Sequence, residues 1–247
     1  MKFAVLSDIH SNIFALEAVI ADAKKHSVDL MINLGDILYG PIAPRATYDL
    51  LMQHEIVTIC GNQDRQIYEA KAEDIASNST MKFIIDDLGV DPIAWMKSLP
   101  FDFQLNDDVY LCHGTPDDDL IYLLENVEFG YARLRSDSEI IKLLNGQKSK
   151  LICCGHTHTP RAVSLTTGQV IMNPGSVGLQ AYTDDEPVVH SMENFNSMAS
   201  YSVVEETGGS WNINHIKVPY DVKQAVSECE KRNRMDWVHF LTTGRRI

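Results

Sequence analysis

FAVLSDIHSNIFALEAVIADAKKHSVDLMINLGD, residues 3–36, decides the fold. Phe3 to Ser7 is a short apolar run that stops at Asp8. From Ile13 to His26, apolar residues recur at helical spacing (Ile13, Leu16, Val19, Ile20, Ala23), and Asn12 is placed to cap that helix. Leu30 to Leu34 is a second apolar run, leading to Asp36. Ala46 to His54 then reads as helix and Ile56 to Cys60 as a third strand. This β-α-β-α-β order predicts parallel strands with right-handed crossovers. Sites in such sheets lie beyond the carboxyl ends of strands, where Asp8, Asp36 and Asn62 fall.

Outward from this core the pattern changes. Asp64 to Asp87 and Pro92 to Leu99 read as helices, and Val109 to Cys112 as a strand leading to His113. Tyr131 to Leu144 reads as helix, and Leu151 to Cys154 as a strand leading to His156 and His158. The last third is richer in strands: Ala162 to Leu165, Val170 to Met172, Tyr201 to Glu205 and Trp211 to Val218, with TTG and TGGS as turns. Asp221 to Arg234 reads as an amphipathic helix. A second sheet facing the first, with helices outside both, accommodates these elements. We expect one domain over residues 1–247, with helical insertions near 64–100 and 115–148.

Bulk properties narrow the function. The 247 residues carry a formal net charge of −13, which repels a polyanion and disfavours long nucleic acid as a partner. No stretch has the apolar length of a membrane span, and the run after Met1 is too short for a secretory signal. The five cysteines are odd in number, with no CxxC pair, so a disulfide framework is not expected and a cytoplasmic setting is. Cys60, Cys112, Cys153 and Cys154 precede polar motifs and read as small apolar residues packing strand ends.

Seven metal-ligand types fall in five short motifs: Asp8 and His10 in SDIHSN, Asp36 in NLGD, Asn62 in GNQD, His113 in CHG, and His156 and His158 in GHTH. Two residues apart on an extended chain, Asp8 and His10 would project the same way and share one cation. His156 and His158 would lie ~6.5 Å apart on such a chain, by the strand rise. That spacing brackets two ions held ~3.5–4 Å apart. Gly61 permits a tight turn before Asn62. Any one motif has a plain alternative as a turn, a cap or a surface histidine. Together, at successive strand ends, they point to a two-metal centre, which suits phosphate-ester hydrolysis.

The order DxH, GD, GN-x-D, H-G, GHTH resembles the calcineurin-like metallophosphoesterases over roughly residues 1–180. NPGSV at 173–177, HGTP followed by Tyr122-Leu123, and the closing VPYDV and LTTGR are similar to a small prokaryotic phosphodiesterase branch. The resemblance implies a four-layer α/β/β/α sandwich of two mixed sheets with outer helices. It implies one metal at Asp8, His10 and His158, another at Asn62, His113 and His156, and Asp36 bridging both. A bridging hydroxide would then attack phosphorus in line with the leaving group.

Two departures from that family stand out. Phosphoprotein phosphatases of the family carry His where this chain has Gln63, and Gln cannot donate a proton to a leaving group. Asn62, Gln63 and Asp64 are nevertheless the candidate catalytic residues, with Asp64 the next acid to consider. An Arg that often follows NPGS is absent from GLQAY, and Arg65 and Arg161 are the candidate substitutes.

Oxygen and nitrogen donors suit Mn, Fe, Zn, Co or Ni, with Mn²⁺ the first choice. The expected function is a metal-dependent phosphodiesterase acting on a small or nucleotide-like ester. A phosphomonoesterase, a dinucleoside polyphosphate hydrolase and a non-catalytic scaffold subunit are the alternatives.

Overall fold

The structure, a computed structural model, describes residues 1–247. The chain begins β1 (Lys2–Leu6), α1 (Ile13–Ala23), β2 (Leu30–Asn33), α2 (Pro44–Leu51) and β3 (Ile56–Thr58). Four helices follow: α3 (Asn62–Glu69), α4 (Ala72–Ser77), α5 (Ser79–Leu88) and α6 (Val90–Ser98). Next come β4 (Phe103–Asn106), β5 (Val109–Leu111), the short pair β6 (Glu125–Asn126) and β7 (Arg133–Leu134), and α7 (Asp137–Leu143). The remainder comprises β8 (Leu151–Cys153), β9 (Arg161–Ser164), β10 (Val170–Asn173), β11 (Ala181–Asp184), β12 (His190–Glu193), β13 (Ala199–Thr207), β14 (Ser210–Val218), α8 (Val222–Lys231) and α9 (Met235–Thr243).

Two five-stranded sheets organise these elements, in the orders β14-β13-β1-β2-β3 and β4-β5-β8-β10-β9. β1, β2 and β3 are parallel, as the opening stretch predicts, and so are β5, β8 and β10. Antiparallel strands complete both sheets, which makes them mixed. The strands of the last third do not all build the second sheet: β13 pairs with β1, and β14 with β13.

Side-chain alternation sets the layers. Phe3 and Val5 of β1 and Ile32 of β2 meet Val109, Leu111, Leu151 and Met172 in a core between the sheets. Each such side chain contributes roughly 1.5–3 kcal/mol on full burial. Ala4 and Leu6, on the opposite face of β1, pack against Leu16, Val19 and Ile20 of α1. Tyr110, Ile152 and Ile171 on the outer face of the second sheet pack against Ile140 of α7. The result is the four-layer α/β/β/α arrangement. α1 starts where predicted, because Asn12 Oδ1 accepts the Ala15 N–H at 3.2 Å.

Several boundaries differ from the sequence reading. The single helix expected over Asp64–Asp87 is three helices. Asn78 interrupts it and caps α5 by accepting the Thr80 and Met81 N–H groups. The helix expected from Tyr131 begins only at Asp137, because Arg133–Leu134 pairs with Glu125–Asn126. Ser136 and Glu139 then form a capping box that fixes the start of α7. Residues 115–148 are therefore mainly loop and hairpin, with α7 their one α-helix. The helix expected over Asp221–Arg234 is α8, which ends at Lys231, and α9 follows it. Trp237, Phe240 and Leu241 of α9 pack with Ala225 and Cys229 of α8 and with Leu179 and Ala181.

Candidate metal centre

The loops after β1, β2, β3, β5 and β8 converge, carrying all seven predicted ligand types into one buried cluster. Asp8, His10, Asp36, Asn62, His113, His156 and His158 are each buried. Asp8, His10, Asp36, His156 and His158 have positive φ, between 49° and 69°. Non-glycine residues hold left-handed backbone only where surroundings impose it, at a cost of order 1–3 kcal/mol each. This corrects the extended geometry expected for DIH and GHTH. The loops curl after the strands, and curling is what turns the side chains inward.

Two groups of ligand atoms result. Those of Asp8, His10 and His158 lie within 4.8 Å of one another, as do those of Asp36, His113 and His156. Asn62 joins the second group, with Oδ1 3.0 Å from His113 Nε2. Asp36 faces both: its Oδ1 is 3.5 Å from His113 Nε2, and its carboxylate acts electrostatically on His10 and His156.

Backbone carbonyls fix the imidazole orientations. His10 Nδ1 donates to Tyr39 O at 3.1 Å, His113 Nδ1 to Leu34 O at 2.8 Å and His158 Nδ1 to Leu179 O at 2.7 Å. That orientation turns each Nε2 toward the cluster. His156 is reversed: its Nε2 lies 3.2 Å from Leu120 O, which leaves Nδ1 for the cluster. Carbonyls that select the ligating nitrogen are the usual surroundings of metal-bound histidine.

Electrostatics favour a cation. His10 and His158 bring their Nε2 atoms to 3.0 Å, two lone pairs facing each other unless a proton or cation lies between. Both Asp8 oxygens are buried without a hydrogen-bond donor, although His158 Nε2 lies 3.3 Å from Oδ1. Buried unsatisfied carboxylate oxygens require a partner, and a divalent cation fits this donor set. Burial, then the neighbouring His158 and His113 rings, push His10 and His156 down to about 4, so both are neutral. Burial opposes charge on His113, yet the Asp36 carboxylate outweighs it and raises that imidazole to about 10. A bound cation would take the place of that proton.

The cysteines keep out of this chemistry. All five are free and buried, and burial pushes Cys60 up to about 12 and the three at 112, 153 and 154 higher still. They remain thiols packed among apolar neighbours, as the sequence suggests.

Surrounding groups brace the cluster. Asp64 Oδ2 accepts N–H groups from Asp36 at 2.9 Å and Gly61 at 3.0 Å, and Oδ1 accepts Ile37 N–H at 2.9 Å. Asp64 is fully buried and does not line the cleft, which corrects its reading as a candidate acid. It positions the Asp36 loop. Gln63 does line the cleft, and its N–H donates to Asp36 Oδ1 at 2.9 Å. Arg65 is bound by Asp119 at 2.8 and 2.7 Å, and Arg161 by Glu125 at 2.9 Å. Neither reaches the cleft, which corrects both as phosphate clamps. NPGS has another use: Asn173 Nδ2 donates to Gly155 O at 2.6 Å and Ser176 Oγ to Asp8 O at 2.8 Å, tying the first and last ligand loops together.

Gly61 has extended backbone (φ −98°, ψ 173°), so no turn requires it. Its role is close approach: a Cβ there would overlap the Asp36 carboxylate and backbone. Gly61→Ala should displace Asp36 and lower metal affinity and activity about 10–100-fold, the effect typical of disturbing a ligand's support. Metal content and turnover of the variant, with its melting temperature as a control, check this. Wild-type values for both would show that Asp36 tolerates the shift.

The cluster opens into a cleft of about 160 Å³ and an adjoining one of about 750 Å³. Sequence reasoning missed much of their walls. Tyr182, Thr183 and Asp184 come from β11, and Arg234, Asp236, Trp237 and Phe240 from around α9. The Trp237–Phe240–Leu241 spacing was a usable signal for α9, but nothing local placed that helix beside His10.

Comparison with known proteins agrees with this geometry. The family model described as calcineurin-like phosphoesterase superfamily domain matches residues 1–194. An uncharacterized protein of Methanocaldococcus jannaschii is 26% identical over 248 aligned positions, covering 95% of this chain and 94% of the relative. The crystal structure of a metallophosphoesterase from Sphaerobacter thermophilus superposes with a TM-score of 0.77 at 22% identity, covering 99% of this chain and all of that one. With two mixed sheets, inward-facing ligands at their strand ends and this match over most of its length, the chain belongs to the calcineurin-like phosphoesterase superfamily.

Proposed function

We propose that this protein is a dinuclear metal-dependent phosphodiesterase acting on a small or nucleotide-like phosphate ester. The observation that carries the proposal is the pair of buried ligand groups, Asp8–His10–His158 and Asp36–His113–His156, with imidazoles oriented by backbone carbonyls and Asp8 oxygens that lack a hydrogen-bond donor. Asp8, His10 and His158 would hold one cation and Asn62, His113 and His156 the other, with Asp36 between them. Two such cations supply Lewis acidity toward phosphoryl oxygens and lower the pKa of an attacking water. We propose Mn²⁺ as the activating ion, because the donors are oxygen and nitrogen without thiolate.

The surroundings favour a singly charged diester. Asp184 and Asp236, the latter paired with Arg234, line the smaller cleft, and Glu128, Asp184 and Glu186 line the larger beside Arg135. A polyphosphate chain would meet four carboxylates against two guanidinium groups, which weighs against a dinucleoside polyphosphate. The net charge of −13 weighs likewise against long nucleic acid. The inward-turned imidazoles favour catalysis over a non-catalytic scaffold role. Free cysteines support a cytoplasmic setting, and no helix is long and apolar enough to cross a membrane.

Turnover of bis-p-nitrophenyl phosphate in Mn²⁺ tests the activity. Binding should also stabilise the fold, because a cation at 100 times its Kd adds about 2.7 kcal/mol by mass action. The melting temperature should rise with Mn²⁺ and fall with chelator. An unchanged melting curve, with metal loss verified, would contradict a preformed site.

A further inference from the structure

The smaller cleft contains one Arg or Lys side chain, Arg234. It lies beyond residues 1–194, the part matched by the phosphoesterase family model. Its position is firmly built. The backbone N–H donates to Cys229 O at 2.9 Å. Nε and Nη2 grip Asp236 at 2.9 and 2.6 Å, and Nη1 donates to Thr80 Oγ1 at 2.6 Å. The guanidinium carbon lies 5.4 Å from the Trp237 ring centroid, and that ring meets His10 edge-on at 5.9 Å. A guanidinium has five N–H donors. These contacts leave one N–H on each of Nη1 and Nη2 without a protein acceptor.

Resting on the phosphoesterase reading, we propose that Arg234 binds the substrate phosphate from the His10 side of the cleft. Asp236 sets the charge that substrate can carry. A fork of N–H groups matches two oxygens of a phosphate. Because Asp236 offsets most of the guanidinium charge, the fork orients a monoanionic diester and gives little extra attraction to a dianionic monoester. α8 and α9 thereby complete a site whose metal ligands all come from the first 158 residues.

The test uses Mn²⁺-loaded full-length protein, with inorganic phosphate binding measured by calorimetry beside steady-state hydrolysis. Arg234→Gln and Arg234→Lys should each raise KM for bis-p-nitrophenyl phosphate about tenfold or more, the loss of a charge-assisted hydrogen bond, with a smaller change in kcat. Phosphate affinity should fall in parallel while metal content stays at the wild-type value. Asp236→Asn should do the opposite. It should tighten phosphate by about tenfold, through removal of one nearby negative charge, and move the preference toward monoesters. If Arg234 merely ties α9 to Thr80, the Arg234 variants melt lower but keep wild-type KM and phosphate affinity, which overturns the proposal. If they fail to fold, Asp236→Asn decides: tighter phosphate binding supports the proposal, and unchanged or weaker binding overturns it. Wild-type turnover reports separately on the phosphoesterase reading, because no variant is needed to measure it.

Discussion

Asp36→Ala should lose both metal ions together, and activity should fall by at least about 10³-fold. Asp36 sits between the two ligand groups, 3.5 Å from His113 Nε2 and within electrostatic reach of His10 and His156. Removing it withdraws the carboxylate proposed to bridge the two groups. A metal pair supplies several kcal/mol of transition-state stabilisation, and each ~1.4 kcal/mol is tenfold in rate. Asp36→Asn separates charge from architecture, since an amide oxygen can still accept the Gln63 N–H held at 2.9 Å. It should keep the melting temperature of the metal-stripped wild type and still bind metal poorly. His10→Ala and His113→Ala should each weaken mainly one site. Two ions per chain in Asp36→Ala would refute the bridging role.

The second large effect follows from Gln63. Help from a general acid is typically worth ~10²–10⁴-fold. Gln63 lines the cleft where such an acid would act, and an amide has no proton to give. Asp64 is occupied by three backbone N–H groups, and burial pushes the phenols of Tyr122 and Tyr182 well above their ordinary value. Nitrophenolate leaves without assistance, whereas an alkoxide does not. Rates should therefore fall steeply as leaving-group pKa rises, and phosphoserine peptides should be poor substrates. Gln63→His should improve alkyl esters far more than nitrophenyl esters. A flat dependence on leaving-group pKa, with chemistry shown to limit the rate, would mean that another acid serves the site.

The parts legible in the sequence share one property: local pattern and tertiary role coincide. The opening β-α-β unit shows itself because its strands are continuous apolar runs and its helix has one apolar stripe. The ligand types show themselves because each motif directly follows an apolar run that reads as a strand. What was hidden depends on distant contacts. β4 is four residues long and largely exposed, so its brief Phe-Gln-Leu-Asn alternation marks it only weakly. The left-handed turns at Asp8, His10, Asp36, His156 and His158 leave no glycine signature, because packing imposes them. Asp64 looks like an acid until its three N–H partners are seen. Gly61 looks like a turn glycine until Asp36 is found against it. Arg234 and Trp237 reach the cleft only through the docking of α9 onto Leu179 and Ala181.

Anomalous diffraction from crystals grown in Mn²⁺ is the most direct measurement. The account predicts two peaks per chain about 3.5–4 Å apart, with Asp36 touching both, Asp8, His10 and His158 on one, and Asn62, His113 and His156 on the other. A single peak, or two peaks that do not share Asp36, would contradict it.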